Sequence, residues 1–381
     1  MTNTIILGDC VDVLTQIDSD SVDLIYLDPP FFTQTIQKLD KYSFDDKWND
    51  ILEFKNYIKD RLVECKRVLK DSGSIFLHCD KTASHYLRIA LDQVFGYDNF
   101  QSEIIWQYKR WSNSKKGLLN SHQVIFFYSK TKDFKFNQKY EPYSLTTNLD
   151  QIFQERARDK NGKTGYKKDK NGENILMSSK QGVPLCDVWS IPFLNPKAKE
   201  RVGYPTQKPI LLLERIIELV TDEGDLVLDP FCGSGTTLVA SKLLGRCYIG
   251  IDKSQDAVQL SKSRINNPIK TESNLLKNGR QSYNNQSEEI LKILESKNIS
   301  PVQRNKGIDG FLRINGEIKP IPVRVQRDFE TIEMAKNALI QATKKQNYER
   351  IILYVIDFED QEGTLFESKF NSSNLELLSI Y

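Results

Sequence analysis

The sequence predicts an α/β fold: a doubly wound parallel sheet, interrupted by a basic insert and followed by a small C-terminal α+β domain. Three observations predict it. Nearly continuous apolar strands alternate with amphipathic helical repeats in residues 1–109 and again in 197–267, the pattern of strands covered by helices on both faces. Between these halves, residues 107–201 hold 19 lysines and arginines against 9 acidic residues, although the whole chain of 381 residues has 53 against 51. A polar, turn-rich stretch at 266–286 then precedes a renewed alternation over 287–381.

In order along the chain, apolar runs predict strands at 4–7, 22–28, 73–79 and 103–108. Phe54, Ile58, Leu62, Cys65 and Leu69 recur every three or four residues and predict a helix over 51–70; residues 86–95 read the same way. The stretch 110–196 reads as a loop-rich insert with short strands such as 123–128, and it repeats Asp-Lys-Asn-Gly at Asp159 and Asp169, where Asn-Gly is a hairpin signal. Alternation resumes with a helix at 208–220, a strand at 225–229, a helix at 235–244, a strand at 247–252 and a helix at 255–265. The tail reads as a helix at 288–297, a hairpin turning at Asn315-Gly316, a helix at 331–343 and a strand at 351–358.

Composition narrows the function. A near-balanced net charge of +2 excludes a histone-like polycation. No apolar run approaches the ~18 residues of a membrane span, and the N-terminus lacks the basic and apolar regions of a signal peptide. Six cysteines without a Cys-x-x-Cys pair and three scattered histidines fit neither a disulfide framework nor a metal site. The expectation is a soluble cytoplasmic protein without membrane partners.

Two motifs carry chemistry. Leu228-Asp-Pro-Phe-Cys-Gly-Ser-Gly-Thr-Thr237 lies between a strand and a helix, where glycines permit a tight turn and close approach of a ligand. Asp252 ends the next strand, 19 residues after Gly233, at the spacing of a ribose-binding carboxylate. The third glycine of the dinucleotide fingerprint is missing, which favours a smaller nucleoside cofactor. Leu27-Asp-Pro-Pro-Phe-Phe32 ends another strand. Its carboxylate, rigid proline carbonyl and aromatic face form a set able to accept two N–H bonds from a planar exocyclic amine and stack its ring.

Together, Asp28-Pro-Pro-Phe31 and, 201 residues later, Asp229-Pro-Phe-Cys-Gly-Ser-Gly-Thr236 resemble the permuted β group of amino-methylating DNA methyltransferases that use S-adenosylmethionine. Gly8-Asp-Cys10, His78-Cys-Asp80 and Val202-Gly-Tyr-Pro-Thr-Gln-Lys-Pro209 extend the resemblance over residues 3–265. Phe31 stands where the family more often has Tyr. The resemblance implies a Rossmann-like methyltransferase sheet. Asp28, Pro29, Pro30 and Phe31 would be catalytic, and Gly233, Gly235, Thr236, Asp229 and Phe231 would surround the methionine portion of the cofactor. Asp252 would hold the ribose, and Asp9 and Cys10 would border the adenine. Thr206 and Lys208 would start the helix that closes over the cofactor carboxylate. No metal is expected. The target base would be flipped out and stacked on Phe31. Asp28 favours adenine N6 over cytosine N4, where the family more often shows Ser. No Pro-Cys dipeptide supports carbon-5 chemistry.

Within the basic insert, Trp106, Lys109, Arg110, Trp111, Lys115 and Lys116 interleave aromatics with positive charge, as expected for double-stranded DNA contact. The resemblance leaves room for a homodimer and for a cognate restriction endonuclease as partners. In the C-terminal domain, Asp309 with Glu317 and Lys319 superficially supplies a nuclease triad, which would make a bifunctional restriction-modification enzyme. A turn at Asn315-Gly316 would put Asp309 opposite Pro322, too far from Glu317, so a docking role is the stronger reading.

Overall fold

A computed structural model describes residues 2–39, 42–108, 116–141, 155–158, 160, 162–175, 182–272, 286–302, 305–313, 320–344, 348–355 and 374–380. Two compact units form, Met1–Glu272 and Ser273–Tyr381.

The first unit is built on β1 (Thr4–Leu7), β2 (Val22–Leu27), β3 (Leu69–Cys79), β4 (Phe100–Gln107), β5 (His122–Ser129), β6 (Val188–Ser190), β7 (Leu226–Asp229) and β8 (Cys247–Asp252). They make one sheet in the order β1-β8-β7-β2-β3-β5-β4-β6. The helices are α1 (Cys10–Leu14), α2 (Ile51–Val68), α3 (Ser84–Phe95), α4 (Ile210–Val220), α5 (Thr236–Leu243) and α6 (Gln255–Asn266). Residues of α1, α2 and α3, among them Val13, Phe54, Ile58 and Leu87, pack on one face of the sheet. Leu213 and Ile217 of α4 and Val239 of α5 pack on the other. All six residues of β2 are buried, the consequence of a strand covered on both sides. Asp50 caps α2 by accepting from the Glu53 N–H at 2.8 Å, and the chain turns extended at Leu69 to enter β3.

The sheet is mixed rather than wholly parallel. β5 runs antiparallel between β3 and β4, whereas the sequence reading assigns residues 123–128 to the basic insert as one of its short strands. Its composition explains its place. Val124, Phe126 and Tyr128 enter one core and Ile125 and Phe127 the other, so this strand is apolar on both faces and is buried only inside a sheet. β6 likewise adds residues 188–190 of the expected insert to the sheet edge, parallel to β4. Residues 140–141 pair with 183–184, and 156–158 with 164–166, as short antiparallel ladders.

Among its described residues, the second unit has α7 (Glu288–Ser296), α8 (Ile332–Thr343) and five strands: β9 (Ser300–Pro301), β10 (Gly310–Leu312), β11 (Ile321–Val325), β12 (Ile351–Val355) and β13 (Leu375–Ser379). Gly310 pairs with Val323 and Leu312 with Ile321. Asp309, whose N–H donates to the Val323 carbonyl at 2.7 Å, therefore stands two residues further along β11 than the expected position opposite Pro322. The expected turn residues Asn315 and Gly316, and Glu317 and Lys319, lie outside the described residues. Asp309 is 1% exposed. Its two oxygens receive the Arg327 guanidinium at 2.6 Å each, and Oδ2 also accepts from the Val325 N–H at 2.8 Å. Among the described residues, no helix is long and apolar enough to cross a membrane.

Candidate active site

The strand order reverses between β2 and β7, which lie side by side with Leu24 opposite Val227. From β2 the chain proceeds to β3 on one side, and from β7 to β8 on the other. The crevice beyond the carboxyl ends at such a reversal is where open α/β sheets bind ligands. One cavity occupies it, and Asp28, Phe31, Lys208, Asp229, Gly233 and Asp252 all line it. Adjacent strands thus unite two motifs that lie 201 residues apart in the sequence.

The glycine turn forms one wall. Gly233 and Gly235 have φ of 47° and 75°, in the left-handed region that side chains with a Cβ disfavour. A Cβ on Gly235 would lie 2.7 Å from Ser261 Oγ. Ser261 Oγ also donates to the Gly233 carbonyl at 2.8 Å. The buried Arg264 reaches the same turn from α6, donating to the Ser234 carbonyl at 2.6 Å and to Thr236 Oγ1 at 3.0 Å. Asp252 accepts from the Gly233 N–H and from the Ser254 N–H, each at 2.8 Å. Asp229, 3% exposed, accepts from the Phe231 N–H at 3.1 Å, and burial pushes its carboxyl up to about 7.

Asp28 and its surroundings form another part of the lining. Its Oδ2 is paired with the ammonium of Lys208. Its Oδ1 is buried and has no hydrogen-bond partner, with His78 Nδ1 3.8 Å away. Burial raises the Asp28 carboxyl, and Lys208 opposes that shift. His78 is fully buried between the Tyr26 hydroxyl at 2.7 Å and Gln123 Oε1 at 2.9 Å. Burial and the Lys208 charge hold His78 well below its usual range, so it is neutral. The Phe31 ring lies 6.0 Å from the His78 ring, and Lys208 Nζ is 5.4 Å from the Phe31 centroid. Asp46, 2% exposed, fixes the loop after the motif: it accepts from the Phe31 N–H at 3.0 Å and from the Thr33 hydroxyl at 2.9 Å.

The remaining residues singled out in the sequence distribute as follows. Pro29, Pro30, Cys10, Phe231, Thr236 and Thr206 line the cavity with those above. Asp9 caps α1 through the Val11 N–H at 3.0 Å and pairs with Arg61 at 2.9 Å. Burial pushes the Cys10 thiol up to about 11 and the Cys232 thiol well above its usual range, which keeps both protonated. Thr206 and Lys208 do not start a helix. α4 begins at Ile210, whose N–H is capped by the buried Glu200 at 3.1 Å, while Thr206 sits exposed with φ of 58°. Trp106 is a core residue rather than a DNA contact: it is buried, and its indole N–H donates to the Ile191 carbonyl at 2.7 Å. Lys109, Arg110, Trp111 and Lys115 lie outside the described residues; Lys116 is exposed. Tyr26, Gln123, Asp46 and Arg264 join the site without a motif of their own, because each acts through a contact that only folding creates.

A glycine turn, a strand-end carboxylate and a proline-backed carboxylate line one switch-point crevice, an arrangement able to bring a nucleoside cofactor against an amine-bearing substrate. The DNA methylase model of the N6/N4 methyltransferases matches residues 22–263, and the chain belongs to that family of amino-methylating DNA methyltransferases. S-Adenosylmethionine is the methyl donor of the family. The chain is 31% identical over 281 residues to the Type II methyltransferase M.HinfI of Haemophilus influenzae, covering 69% of this chain and 68% of that protein. It is 31% identical over 267 residues to M.HpaI of Haemophilus parainfluenzae, covering 70% and 74%. Among solved structures, the cytosine-N4-specific PvuII DNA methyltransferase is similar at 16% identity and a TM-score of 0.48, with 78% of this chain and 92% of that chain covered.

Proposed function

We propose that this chain methylates the N6 amine of adenine in a short DNA sequence, with the target base flipped into the crevice between Asp28 and the glycine turn. The observation that carries the reading is the Asp28 carboxylate itself. It lines the cavity with one buried oxygen lacking a partner, together with the Phe31 ring and the turn at Gly233.

The cavity suits S-adenosylmethionine in the chemistry of its donors. Asp252 stands at a strand end for the ribose hydroxyls, and the left-handed glycines close the turn where a Cβ would strike Tyr204 or Ser261. Asp9 and Cys10 border the adenine end, and Thr236, Asp229 and Phe231 the methionine end. When bound, the cofactor supplies a methyl group on a sulfonium, an intrinsically good leaving group. The protein's task is then to aim a poor nucleophile. Asp28 Oδ1 and the Pro29 carbonyl accept the two N–H bonds of the amine, drawing its lone pair out of the ring. Phe31 stacks the base, and the charge that develops on nitrogen falls beside the Asp28 carboxylate. Unstacking the base from the duplex costs a few kcal/mol. The basic residues 109–116 supply phosphate contacts, and the Type II relatives support a role beside a restriction endonuclease of the same specificity.

Single-molecule sequencing of DNA from a methylation-free host expressing the chain tests the reading. N6-methyladenine in one sequence context is expected, and Asp28→Ala should abolish it while S-adenosylhomocysteine binding persists. N4-methylcytosine would overturn the assignment to adenine. Substantial turnover by Asp28→Ala would remove the role of the carboxylate.

A further inference from the structure

Lys208 occupies an unexpected place. It is 5% exposed, and it reaches from the segment before α4 to pair with Asp28, 180 residues earlier. Among the described residues, the other titratable groups facing Asp28 supply no positive charge. Tyr26 on β2 and Tyr204 near Lys208 are phenols that burial pushes up, each with the Asp28 charge opposing its ionisation. The Cys79 thiol at the end of β3 is pushed up in the same way. His78 on β3 is neutral. Asp229 at the end of β7 and Asp46 after the motif are themselves carboxyls that disfavour a further negative charge on Asp28. Three carboxyls around one buried crevice cannot all ionise cheaply, and the first to take a proton loses its capacity as a two-oxygen acceptor.

We propose that Lys208 is a positioning residue of the methyl transfer: by pairing with Oδ2, its ammonium keeps Asp28 ionised and leaves Oδ1 for the amine of the target base. This rests on the methyltransferase reading above. It replaces the role that the sequence motif suggests for Lys208, a contact to the cofactor carboxylate. Three arguments support it. Oδ2 is already occupied, so Oδ1 is the acceptor left for substrate. The ammonium also lies against Phe31, so one side chain braces both residues that would hold the base. Finally, it adds to burial in disfavouring the positive form of His78, which keeps the imidazole, 3.8 Å away, from competing for Oδ1.

The experiment is the pH dependence of kcat/KM for DNA at saturating cofactor, for wild type and for Lys208→Met, Lys208→Gln and Lys208→Arg, with S-adenosylhomocysteine affinity measured by calorimetry. Without the ammonium, Asp28 holds its proton to higher pH. The acidic limb of the Met and Gln variants should therefore move up by at least about one pH unit, which is a tenfold loss at a fixed pH on that limb. Activity should recover toward wild type on the alkaline side. Affinity for S-adenosylhomocysteine should stay within about twofold of wild type, well below the tenfold that separates ~1.4 kcal/mol, and Lys208→Arg should keep the limb near the wild-type position. An unmoved limb with weakened S-adenosylhomocysteine binding would overturn the proposal and return Lys208 to the cofactor carboxylate. Equal loss at every pH would also overturn it. Thermal unfolding of each variant identifies any that has failed to fold, and the arginine and glutamine variants then decide. A wild-type protein that methylates no DNA at any pH would instead refute the underlying function.

Discussion

Gly233 and Asp252 are joined by a 2.8 Å hydrogen bond from the glycine N–H to Oδ2, across the 19 residues that separate them. The second oxygen of Asp252 takes the Ser254 N–H at 2.8 Å, at the start of α6. One carboxylate therefore shapes the glycine turn, begins a helix and faces the cavity. Replacing it by alanine removes charge-assisted bonds worth ~1.5–3 kcal/mol. Asp252→Ala should weaken S-adenosylhomocysteine binding at least tenfold by calorimetry, and unchanged affinity would exclude Asp252 from the cofactor site.

Gly235 tests the turn from the other side. Its φ is 75°, and an alanine Cβ at this position would stand 2.7 Å from Ser261 Oγ. Alanine there meets both backbone strain and a side chain fixed by its own hydrogen bond. Gly235→Ala should lower the unfolding free energy by ~1–3 kcal/mol and abolish cofactor binding. Gly224 has φ of 86° with open space around it, so Gly224→Ala should show the strain without the loss of binding.

The buried carboxyls set a pH dependence of stability. Burial pushes Asp229 up to about 7 and Asp46 up to about 6, both from 3.8. The folded state thus binds more protons than the unfolded chain between these values, and the stabilisation present below 3.8 is lost as pH rises through 6 and 7. The melting temperature of the cofactor-free protein should fall by several degrees between about pH 5 and 8, at roughly 2–4 °C per kcal/mol. Asp229→Asn should flatten the upper part of that decline. A melting temperature that rises across this range would contradict the carboxyl assignments.

In the C-terminal unit, Asp309 and Arg327 form a bidentate pair. Arg327→Ala would leave a buried carboxylate uncompensated, a loss of ~3–5 kcal/mol, visible as a lower melting transition. Because Asp309 is held by Arg327 and the Val325 N–H, it is not available to a divalent cation. Incubation of the wild-type protein with magnesium should leave unmethylated DNA uncut; cleavage that disappears on deletion of residues 287–381 would establish a nuclease.

Local pattern determined much of this protein. The strands and helices of both halves follow from apolar spacing, as in Phe54, Ile58 and Leu62 of α2, and the two motifs follow from residue types that few other turns require. These signals are legible because they act within one element or across one strand-to-helix turn. Tertiary structure alone decided the rest. β5 carries the same apolar run wherever it pairs, and only burial on both faces put it inside the sheet. Trp106 reads equally well as a base-stacking or a core aromatic until the Ile191 carbonyl meets its indole. The register of β11 depends on pairing, which moved Asp309 two residues. Lys208 is an ordinary lysine in its motif; its pairing with Asp28 arises because α4, which follows it, packs on β2, with Leu213 and Ile217 in one core with Leu24 and Tyr26, a long-range contact that no spacing along the chain encodes.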